Sequence, residues 1–381
     1  MSAFRKAGPV RILHCHSTFS AGGKERRAVT LMNAFGPSVE HTIVSGMPDQ
    51  MDAKALIDRR VRVIFPDDFP SLSGSPTPGR LVTIARALEG YDLILSYNWG
   101  AMDVVMAHTM FAQPFGLAPL IHHEDGFNED EADQLKASRN WYRRAALWRT
   151  ERLVVPSATL EAIALTKWKQ PHGRIARIAN GIDTAAFAKR PQPAGLRAVK
   201  RDGERWVGTL AGLRPVKQLP RLVEAFKDLP ENWHLVIVGE GPEMSAIREA
   251  ATRFEVDHRV HLPGAVADPA SVIGLFDIFA LASRSEQFPL SVVEAMAAGL
   301  PIAAPKVGDI ARIVAPENAD HITPAGDVAA LAGALEELAD DDEGRAQIGT
   351  ANQARARERY DVATMIDRYR TLYAGVLGCE F

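Results

Sequence analysis

The stretch SEQFPLSVVEAMAAGLP, residues 285 to 301, places two glutamates around the start of a predicted helix. Phe288 and Pro289 initiate this helix, since proline is favoured at the first helical position. Glu286 precedes the helix in a loop after a buried strand, and Glu294 lies in its first turns. Both carboxylates can therefore face the carboxyl end of that strand, where ligands collect in parallel α/β sheets.

The start of this helix combines the groups that a nucleotide sugar requires. The backbone N–H groups of Leu290 and Ser291 are predicted to hold an anion, because N–H groups at a helix N-terminus have no intrahelical acceptor. One carboxylate would accept hydrogen bonds from hydroxyls of a sugar, and the other would accept them from both hydroxyls of a ribose. Alternatively, Glu286 and Glu294 only complement the helix dipole. Spacing alone leaves both interpretations open.

Short apolar runs alternate with helix-period stretches on both sides of this motif. Such alternation is typical of a parallel sheet wrapped by helices, so we expect an α/β protein with two doubly wound, Rossmann-like domains facing a central cleft. Strands are predicted at residues 10 to 14, 42 to 45, 61 to 64, 93 to 96, 120 to 122, 152 to 156, 206 to 210, 234 to 238, 260 to 262 and 278 to 280.

A linker rich in basic residues, proline and glycine interrupts the pattern at residues 188 to 204. We place the domain boundary there, with residues 1 to 188 in the first domain and 189 to 361 in the second. A helix at 362 to 377 has Ile366, Tyr369, Leu372 and Tyr373 on one side. Residues 362 to 381 are therefore expected to pack back on the first domain.

Composition restricts the class of protein. With 381 residues the chain is long enough for two domains, and its net charge of −3 gives no general attraction to nucleic acid. Two cysteines near opposite ends form neither a disulfide framework nor a metal cluster. Because neither a secretory signal nor a stretch able to cross a bilayer is recognised, we expect a cytoplasmic protein.

A second motif, GTLAGLRPVKQLPRLVEAF at 208 to 226, offers Arg214 and Lys217 between a strand and a helix. Two cations at a strand end can neutralise a diphosphate and stabilise the charge that grows on it when a glycosidic bond breaks. The alternative is a solvated loop that carries two cations by chance.

A third motif, LVIVGEGPEMSAIREAA at 235 to 251, runs from an apolar strand through Gly239 and Gly241 into a helix. Met244 occupies the place of a third glycine, so a dinucleotide-binding fingerprint is not indicated. The two glycines either let the backbone approach a donor or form a tight turn that packs closely. Both interpretations stay open.

In the first half, FSAGGKER at 19 to 26 lies between the first strand and the first helix. Gly22 and Gly23 would let the backbone come close to a phosphate or a sugar. A glycine-rich turn before an ordinary acidic first helical turn is the alternative.

The segment LIHHEDGFNEDE at 120 to 131 leaves four polar side chains after a strand, at the rim of the expected cleft. We assign His123 and Asp125 to the acceptor side and give His122 a structural role. A metal site is disfavoured, because contiguous ligands do not converge on one ion.

The segment RNWYRRAALWRTER at 139 to 152 mixes five arginines with Trp141, Tyr142 and Trp148 on a predicted helix. Such a face can lie on an anionic membrane or meet a lipid-phosphate acceptor. The alternative is a domain helix with buried aromatic residues and solvated arginines. Peripheral contact with the cytoplasmic membrane face is thus left open.

Several of these motifs together resemble family 4 of the retaining GT-B glycosyltransferases. The likeness rests on Glu286-x7-Glu294 followed by AMAAGLP, on the segments at 208 to 226, 235 to 251 and 260 to 264, and on the Gly-Gly-x-Glu-Arg loop at 22 to 26. Two positions depart from the family. Gly212 stands where an arginine is common, and Asp125 where relatives often place a histidine.

The resemblance implies a hexosyltransferase whose first domain binds an acceptor and whose second binds a nucleotide diphosphate-sugar, UDP- or GDP-linked. It implies that Glu286 contacts the donor sugar and Glu294 the ribose. It also implies retention by front-face attack, with Arg214, Lys217 and the helix dipole in place of a metal and with no further cofactor. The acceptor would be a glycan such as a surface polysaccharide, a glycolipid or a lipid-linked intermediate.

Two rival functions are compatible with the same residues. A nucleotide-sugar epimerase or hydrolase would turn over donor without an acceptor. A catalytically silent module would bind a nucleotide sugar without turnover, which the departures at Gly212 and Asp125 keep open.

Overall fold

The computed structural model describes residues 8–127, 129–131, 134–192 and 195–381. The chain divides into two compact units, the first formed by residues 1–179 and 365–381 and the second by residues 180–364. In the described part of the chain, no helix has the length and apolar character needed to span a membrane.

The first unit contains a sheet of seven parallel strands in the order β3-β2-β1-β4-β5-β6-β7. Its interior strand β1 is buried at six of seven positions, as expected for a parallel sheet covered on both faces. The order reverses between β1 and β4, which is where such sheets bind ligands. The strands are β1 (Val10–His16), β2 (Val39–Ser45), β3 (Arg62–Ile64), β4 (Leu93–Tyr97), β5 (Leu120–His123), β6 (Arg152–Val155) and β7 (Ile175–Arg177).

Helices connect these strands and pack their apolar faces on the sheet. Side-chain caps define two of the starts, since Thr77 accepts a hydrogen bond from the backbone of Arg80 and Ser157 from that of Leu160. The helices of this unit before residue 180 are α1 (Gly23–Phe35), α2 (Pro78–Ala87), α3 (Met102–Phe115), α4 (Ala137–Ala146) and α5 (Ala158–Thr166).

The second unit repeats the plan with six parallel strands in the order β10-β9-β8-β11-β12-β13. The order reverses between β8 and β11, and buried Val, Leu, Ile and Ala side chains form a core between the sheet and its helices. The strands are β8 (Arg205–Leu210), β9 (Trp233–Val238), β10 (Val260–Gly264), β11 (Ile278–Ala280), β12 (Ile302–Pro305) and β13 (Ile322–Thr323). The remaining helices are α6 (Thr184–Phe187), α7 (Leu219–Phe226), α8 (Met244–Arg253), α9 (Leu290–Ala297), α10 (Ile310–Ile313), α11 (Val328–Asp340), α12 (Asp342–Arg359) and α13 (Val362–Leu377).

The predicted α/β class with two doubly wound parallel sheets is confirmed, and every predicted strand is present within three residues of its expected ends. Three strands were missed. β7 and β13 are only three and two residues long, and β12 reads IAAP, where two alanines and a proline give little β-propensity.

The division between the units differs from the predicted boundary at 188. Ile182 pairs with Asp361 in an isolated parallel bridge, and Thr184 donates a hydrogen bond to the Asp361 carboxylate at 2.5 Å. These contacts attach residues 180 to 188 to the second unit. α13 matches its predicted range, and its residues from Met365 onward belong to the first unit. There Arg370 donates to the carbonyl oxygen of Ala34 at 3.2 Å.

Candidate functional site

The two most informative motifs follow neighbouring strands of the second sheet. β8 and β11 are hydrogen-bonded in parallel, with Val207 opposite Ile278, and the strand order reverses between them. Lys217 ends a short 3-10 turn after β8, and Glu286 lies in the loop after β11. The fold therefore brings these loops together at the position where open α/β sheets bind ligands.

Lys217 and Glu286 contact each other directly. The Lys217 ammonium forms a hydrogen-bonded ion pair with Oε1 of Glu286, although the residues lie 69 positions apart. Only 14% and 12% of the two side chains are exposed, so the pair is largely shielded from water. The backbone of Arg284 also donates to the carbonyl oxygen of Val216 at 2.9 Å, which ties the two loops together.

Arg214 lies at the start of the same 3-10 turn and is exposed. Within the described residues it forms no ion pair with a carboxylate, in contrast to Lys217. The exposed Gly212 adds no side chain to this loop. Of the two predicted cations, the structure thus brings only Lys217 against Glu286.

The predicted helix after Glu286 begins at Leu290, with Pro289 as the preceding cap residue. Leu290 and Ser291 are its first two residues, and Glu294 is half-buried in its second turn. The Phe288 ring packs edge-on against Tyr360 with centroids 5.6 Å apart, so this side chain anchors the loop.

Gly239 and Gly241 allow two loops to approach closely. Both have positive φ angles, +148° and +155°. A Cβ on Gly239 would lie 1.8 Å from the carbonyl oxygen of Ala211, and one on Gly241 would lie 2.5 Å from that of Leu213. The absence of a side chain at both positions lets the turn after β9 pack on the loop that leads to Lys217. Direct contact with a donor stays a prediction.

A further glycine positions Glu286, and sequence reasoning missed it. Gly308 follows β12 with φ +54°, and a Cβ there would lie 2.3 Å from the carbonyl oxygen of Glu286. The backbone of Asp309 donates to the carbonyl oxygen of Gln287 at 3.2 Å. The only signal in the sequence is a lone glycine after an apolar run, which does not reveal its partner.

In the first unit, Gly22 and Gly23 lie at the start of α1, directly after the loop that follows β1. Glu25 is buried there, accepts a hydrogen bond from Thr18 Oγ1 at 2.8 Å and forms an ion pair with Lys24. A Cβ on Gly22 would lie 2.8 Å from Glu25 Oε2. The absence of a side chain at Gly22 thus makes room for this buried carboxylate.

Asp125 follows β5 and is held by Arg27. The buried Arg27 guanidinium donates to both carboxylate oxygens, with Nη2 to Oδ2 at 2.9 Å. The Tyr369 ring lies 5.6 Å from the guanidinium carbon. The backbone N–H of Asp125 donates to Asn98 Oδ1 at 2.8 Å, so the carboxylate is fixed near the ends of β4 and β5. Its acceptor-side role stays a prediction.

His123 differs from its predicted position at a rim, because it is only 1% exposed. Its Nε2 lies 2.9 Å from the Tyr373 hydroxyl, and its ring stacks on Tyr97 with centroids 4.7 Å apart. His16 stacks on Tyr97 with centroids 4.0 Å apart. Spacing within one strand did not reveal that a residue 250 positions later covers it. His122, predicted to be structural, is also buried and contacts Ser96 Oγ at 2.9 Å.

Burial sets the protonation of this cluster. Removal from water lowers the pKa of His123 and His16 well below the usual value, and the nearby charges of Arg27 and Lys24 lower it further. Both rings are therefore neutral at neutral pH. Neither ring nitrogen of His16 has a hydrogen-bond partner among the described residues.

Two family models match the chain in succession. The model described as Glycosyltransferase Family 4 matches residues 21–186, and the model described as Glycosyl transferases group 1 matches residues 197–355. The second match includes Lys217, Glu286 and Glu294, and the first includes Asp125.

Similar proteins agree with these matches. The N-acetyl-alpha-D-glucosaminyl L-malate synthase of Bacillus anthracis is 25% identical over 215 residues, 55% of each chain. The phosphatidyl-myo-inositol mannosyltransferase of Mycobacterium leprae is 30% identical over 206 residues, 52% of this chain and 53% of that protein. This chain thus spans about half the length of these curated relatives.

A solved structure shares the whole fold. Anabaena HepE in complex with UDP superposes with a TM-score of 0.80 at 20% identity, covering 96% of this chain and 100% of that one. Two matching family models, the order of strands in both sheets and this structural likeness converge on one conclusion. The chain is a member of family 4 of the GT-B glycosyltransferases.

Proposed function

We propose that this protein transfers a hexose from a UDP- or GDP-sugar to a hydroxyl group of a glycan, glycolipid or lipid-linked acceptor. The observation that carries the proposal is the shielded Lys217–Glu286 ion pair between the loops after β8 and β11. A cation and a carboxylate in contact at this position suit a substrate that is a diphosphate at one end and a polyol at the other.

In the proposed reaction the bond between the sugar C1 and the phosphate oxygen breaks, and the nucleoside diphosphate leaves. The acceptor oxygen bonds to C1 on the same face, and its proton passes to the leaving phosphate, so configuration is retained without an enzyme nucleophile or a metal. Lys217, Arg214 and the N-terminus of α9 stabilise the charge on the leaving group. Glu286 accepts hydrogen bonds from the sugar, and Glu294 from the ribose.

The acceptor is proposed to bind in the first unit, where a cavity of about 490 Å³ opens beside the end of β4. Trp99 and Tyr142 supply aromatic surface, and the Tyr142 hydroxyl donates to Asp103 at 2.5 Å. Arg139 lies over the Trp99 ring at 4.9 Å. An aromatic wall with a few charged groups at its edge suits a sugar ring or a polar lipid headgroup.

The names of similar proteins support this choice. HepE was solved with UDP, and the relative from Mycobacterium leprae is named as a mannosyltransferase that acts on phosphatidyl-myo-inositol. These facts concern those proteins. They make UDP-sugars and lipid-linked hydroxyls the first substrates to try with this chain.

A turnover assay tests the proposal. The purified chain is incubated with UDP- and GDP-hexoses, with and without a pool of glycan and lipid-linked acceptors, and free nucleoside diphosphate is measured. We expect release to depend on acceptor. Full-rate hydrolysis or epimerisation without acceptor would favour the rival enzyme, and binding without turnover on any donor and acceptor would favour the silent module.

Glu294→Ala is expected to weaken donor binding about 10- to 100-fold, because a hydrogen bond to a charged carboxylate contributes about 1.5–3 kcal/mol. Calorimetric titration of the nucleoside diphosphate measures this effect. Glu249→Ala, at an exposed position of α8, is the matched control and should bind as the wild type does. If the two variants bind the nucleoside diphosphate with equal affinity, Glu294 does not contribute to donor binding.

Gly308→Ala is expected to lower transfer at subsaturating donor about 10- to 100-fold, since displacement of a substrate-binding group by about 1 Å can have that effect. The new methyl group would overlap the Glu286 carbonyl oxygen, and alanine disfavours φ +54°. Gly333→Ala, with nothing within 4 Å of the added carbon, is the control. Wild-type transfer by the Gly308 variant would show that this contact does not position Glu286.

A further inference from the structure

Two of the most exposed large apolar side chains in the described part of the chain lie close together in sequence. Trp141 on α4 is 67% exposed, and Trp148, in the 3-10 turn that follows, is 70% exposed. Arg144 lies over the Trp141 ring at 5.2 Å. We call Trp141, Arg144, Trp148, Arg149 and Arg174 the tryptophan–arginine surface.

Contacts hold this surface together within the first unit. Arg174 donates to the carbonyl oxygen of Trp148 at 2.5 Å, and Arg149 donates to Gln113 Oε1 on α3 at 3.2 Å. Trp168 Nε1 donates to Asn140 Oδ1 at 2.9 Å, which brings the end of α5 against α4. The exposed Lys167 and Lys169 flank that contact and extend the positive charge.

α4 distributes its residues in the reverse of the usual order. Its buried face carries Arg143, whose guanidinium lies 3.2 Å from Glu124 and 3.3 Å from Glu131. Its exposed face carries Trp141. A tryptophan gains more than an arginine from leaving water. A helix with one face in the core and the other in water would therefore ordinarily bury the tryptophan and expose the arginine.

Charge is strongly segregated in this part of the chain. Residues 136 to 177 contain ten lysines and arginines and two acidic residues, a net charge of +8, so the rest of the chain carries −11 within the total of −3. The two acidic side chains, Glu151 and Glu161, pair with Arg152 and Arg177. Three further cations of the segment pair with acidic residues that precede it, since Lys136, Arg139 and Arg143 contact carboxylates among residues 124 to 131. Within the described residues, the three arginines of the tryptophan–arginine surface form no ion pair with a carboxylate.

We propose that the tryptophan–arginine surface docks the protein on an anionic lipid bilayer. Tryptophan is favoured at the boundary between headgroups and acyl chains, and arginines beside it attract anionic lipids. The proposed contact is peripheral to the bilayer. It is independent of the proposed sugar transfer, since membrane binding can be measured without donor or acceptor. An acidic protein surface or a second copy of this chain are the competing occupants.

Flotation of the full chain with vesicles tests the docking. Vesicles of phosphatidylcholine alone are compared with vesicles that contain about 30% phosphatidylglycerol. We expect recovery only with the anionic vesicles and loss of recovery at high salt, because the attraction is screened. Recovery that is equal on both vesicles, or absent on both, overturns the proposal.

Variants assign the binding to this surface. Trp141→Ala with Trp148→Ala, and separately Arg144→Gln with Arg149→Gln, should each reduce partitioning about tenfold or more. Arg248→Gln with Arg253→Gln, exposed on α8 of the second unit, is the charge control, and Val199→Ala, 80% exposed, is the apolar control. Both controls should partition as the wild type does. Circular dichroism verifies folding, and the arginine variant remains informative if the tryptophan variant unfolds.

A further measurement separates the competing occupants. Sedimentation of the chain without lipid reports self-association, which should be unaffected by the tryptophan variant. If that variant instead abolishes a dimer and leaves flotation unchanged, the surface is an interface between copies and the lipid proposal is wrong. Flotation reduced equally by the α8 control would likewise contradict it, since binding would then follow net charge alone.

Discussion

Replacing Lys217 by alanine is expected to lower the turnover number for sugar transfer about 100- to 1000-fold, with a smaller effect on the donor KM. A fixed cation at a developing negative charge contributes mostly in the transition state, and loss of one such group typically has this magnitude. Lys217 is suited to the task because contact with Glu286 fixes its ammonium in a largely shielded position. Initial rates at saturating and subsaturating donor separate the two effects.

Controls distinguish loss of the charge from loss of structure. Lys227→Ala removes a lysine that is 39% exposed in the same unit, and it should leave both constants unchanged. Lys217→Ala combined with Glu286→Gln should cost less than the sum of the single changes, because contacting residues are not independent. A rise in KM at unchanged kcat would show that Lys217 only binds donor, and fully additive losses would contradict the pairing.

Lowering the pH from 7.5 to 5.5 is expected to destabilise the first unit more than the second. Burial lowers the pKa of four histidines on strands of the first sheet, to about 4 in the case of His41. The folded unit then binds fewer protons than the unfolded chain, so this stability is fully present above about pH 6.5 and is lost as the pH falls toward the folded pKa. At pH 5.5 each such group costs on the order of 1 kcal/mol. The four histidines are His14, His16, His41 and His123.

Hydrogen exchange at the two pH values, corrected for intrinsic rates, measures the stability of each unit separately. In the second unit, burial also lowers the pKa of three histidines, His234, His261 and His321, but these rings are less buried. His16→Phe should reduce the acid sensitivity of the first unit by on the order of 1 kcal/mol at pH 5.5, because it removes one titrating ring. The exposed His172→Phe is its control. Equal acid sensitivity of both units, or no effect of His16→Phe, would contradict this account.

The sequence allowed the architecture to be predicted because its signals are local. Apolar runs that alternate with helix-period stretches indicated every strand of five or more residues. The segment at 285 to 301 indicated α9 and the carboxylates beside it. The three missed strands have short or alanine-rich sequences that carry little β-propensity.

Contacts between distant segments could not be predicted in the same way. Arg27 and Asp125 are 98 positions apart, and nothing in either local motif indicates that they pair. The sequence predicts His123 at a rim, but Tyr373 of α13 contacts its ring, and the residue is buried. Likewise, glycine is needed at position 308 because the carbonyl oxygen of Glu286 lies close to it. That oxygen belongs to the loop after the neighbouring strand β11, so the sequence around Gly308 does not indicate the contact. Tertiary packing, which no single segment encodes, decides these pairs.

We infer that a nucleotide sugar binds in the second unit where the loops after β8 and β11 meet. Hydrogen exchange of the chain with and without UDP or GDP tests this binding site. We predict that the nucleotide which binds slows exchange in segments 211–218, 239–243 and 285–294. Protection of the first unit alone, with these segments unchanged at saturating nucleotide, would contradict the claim.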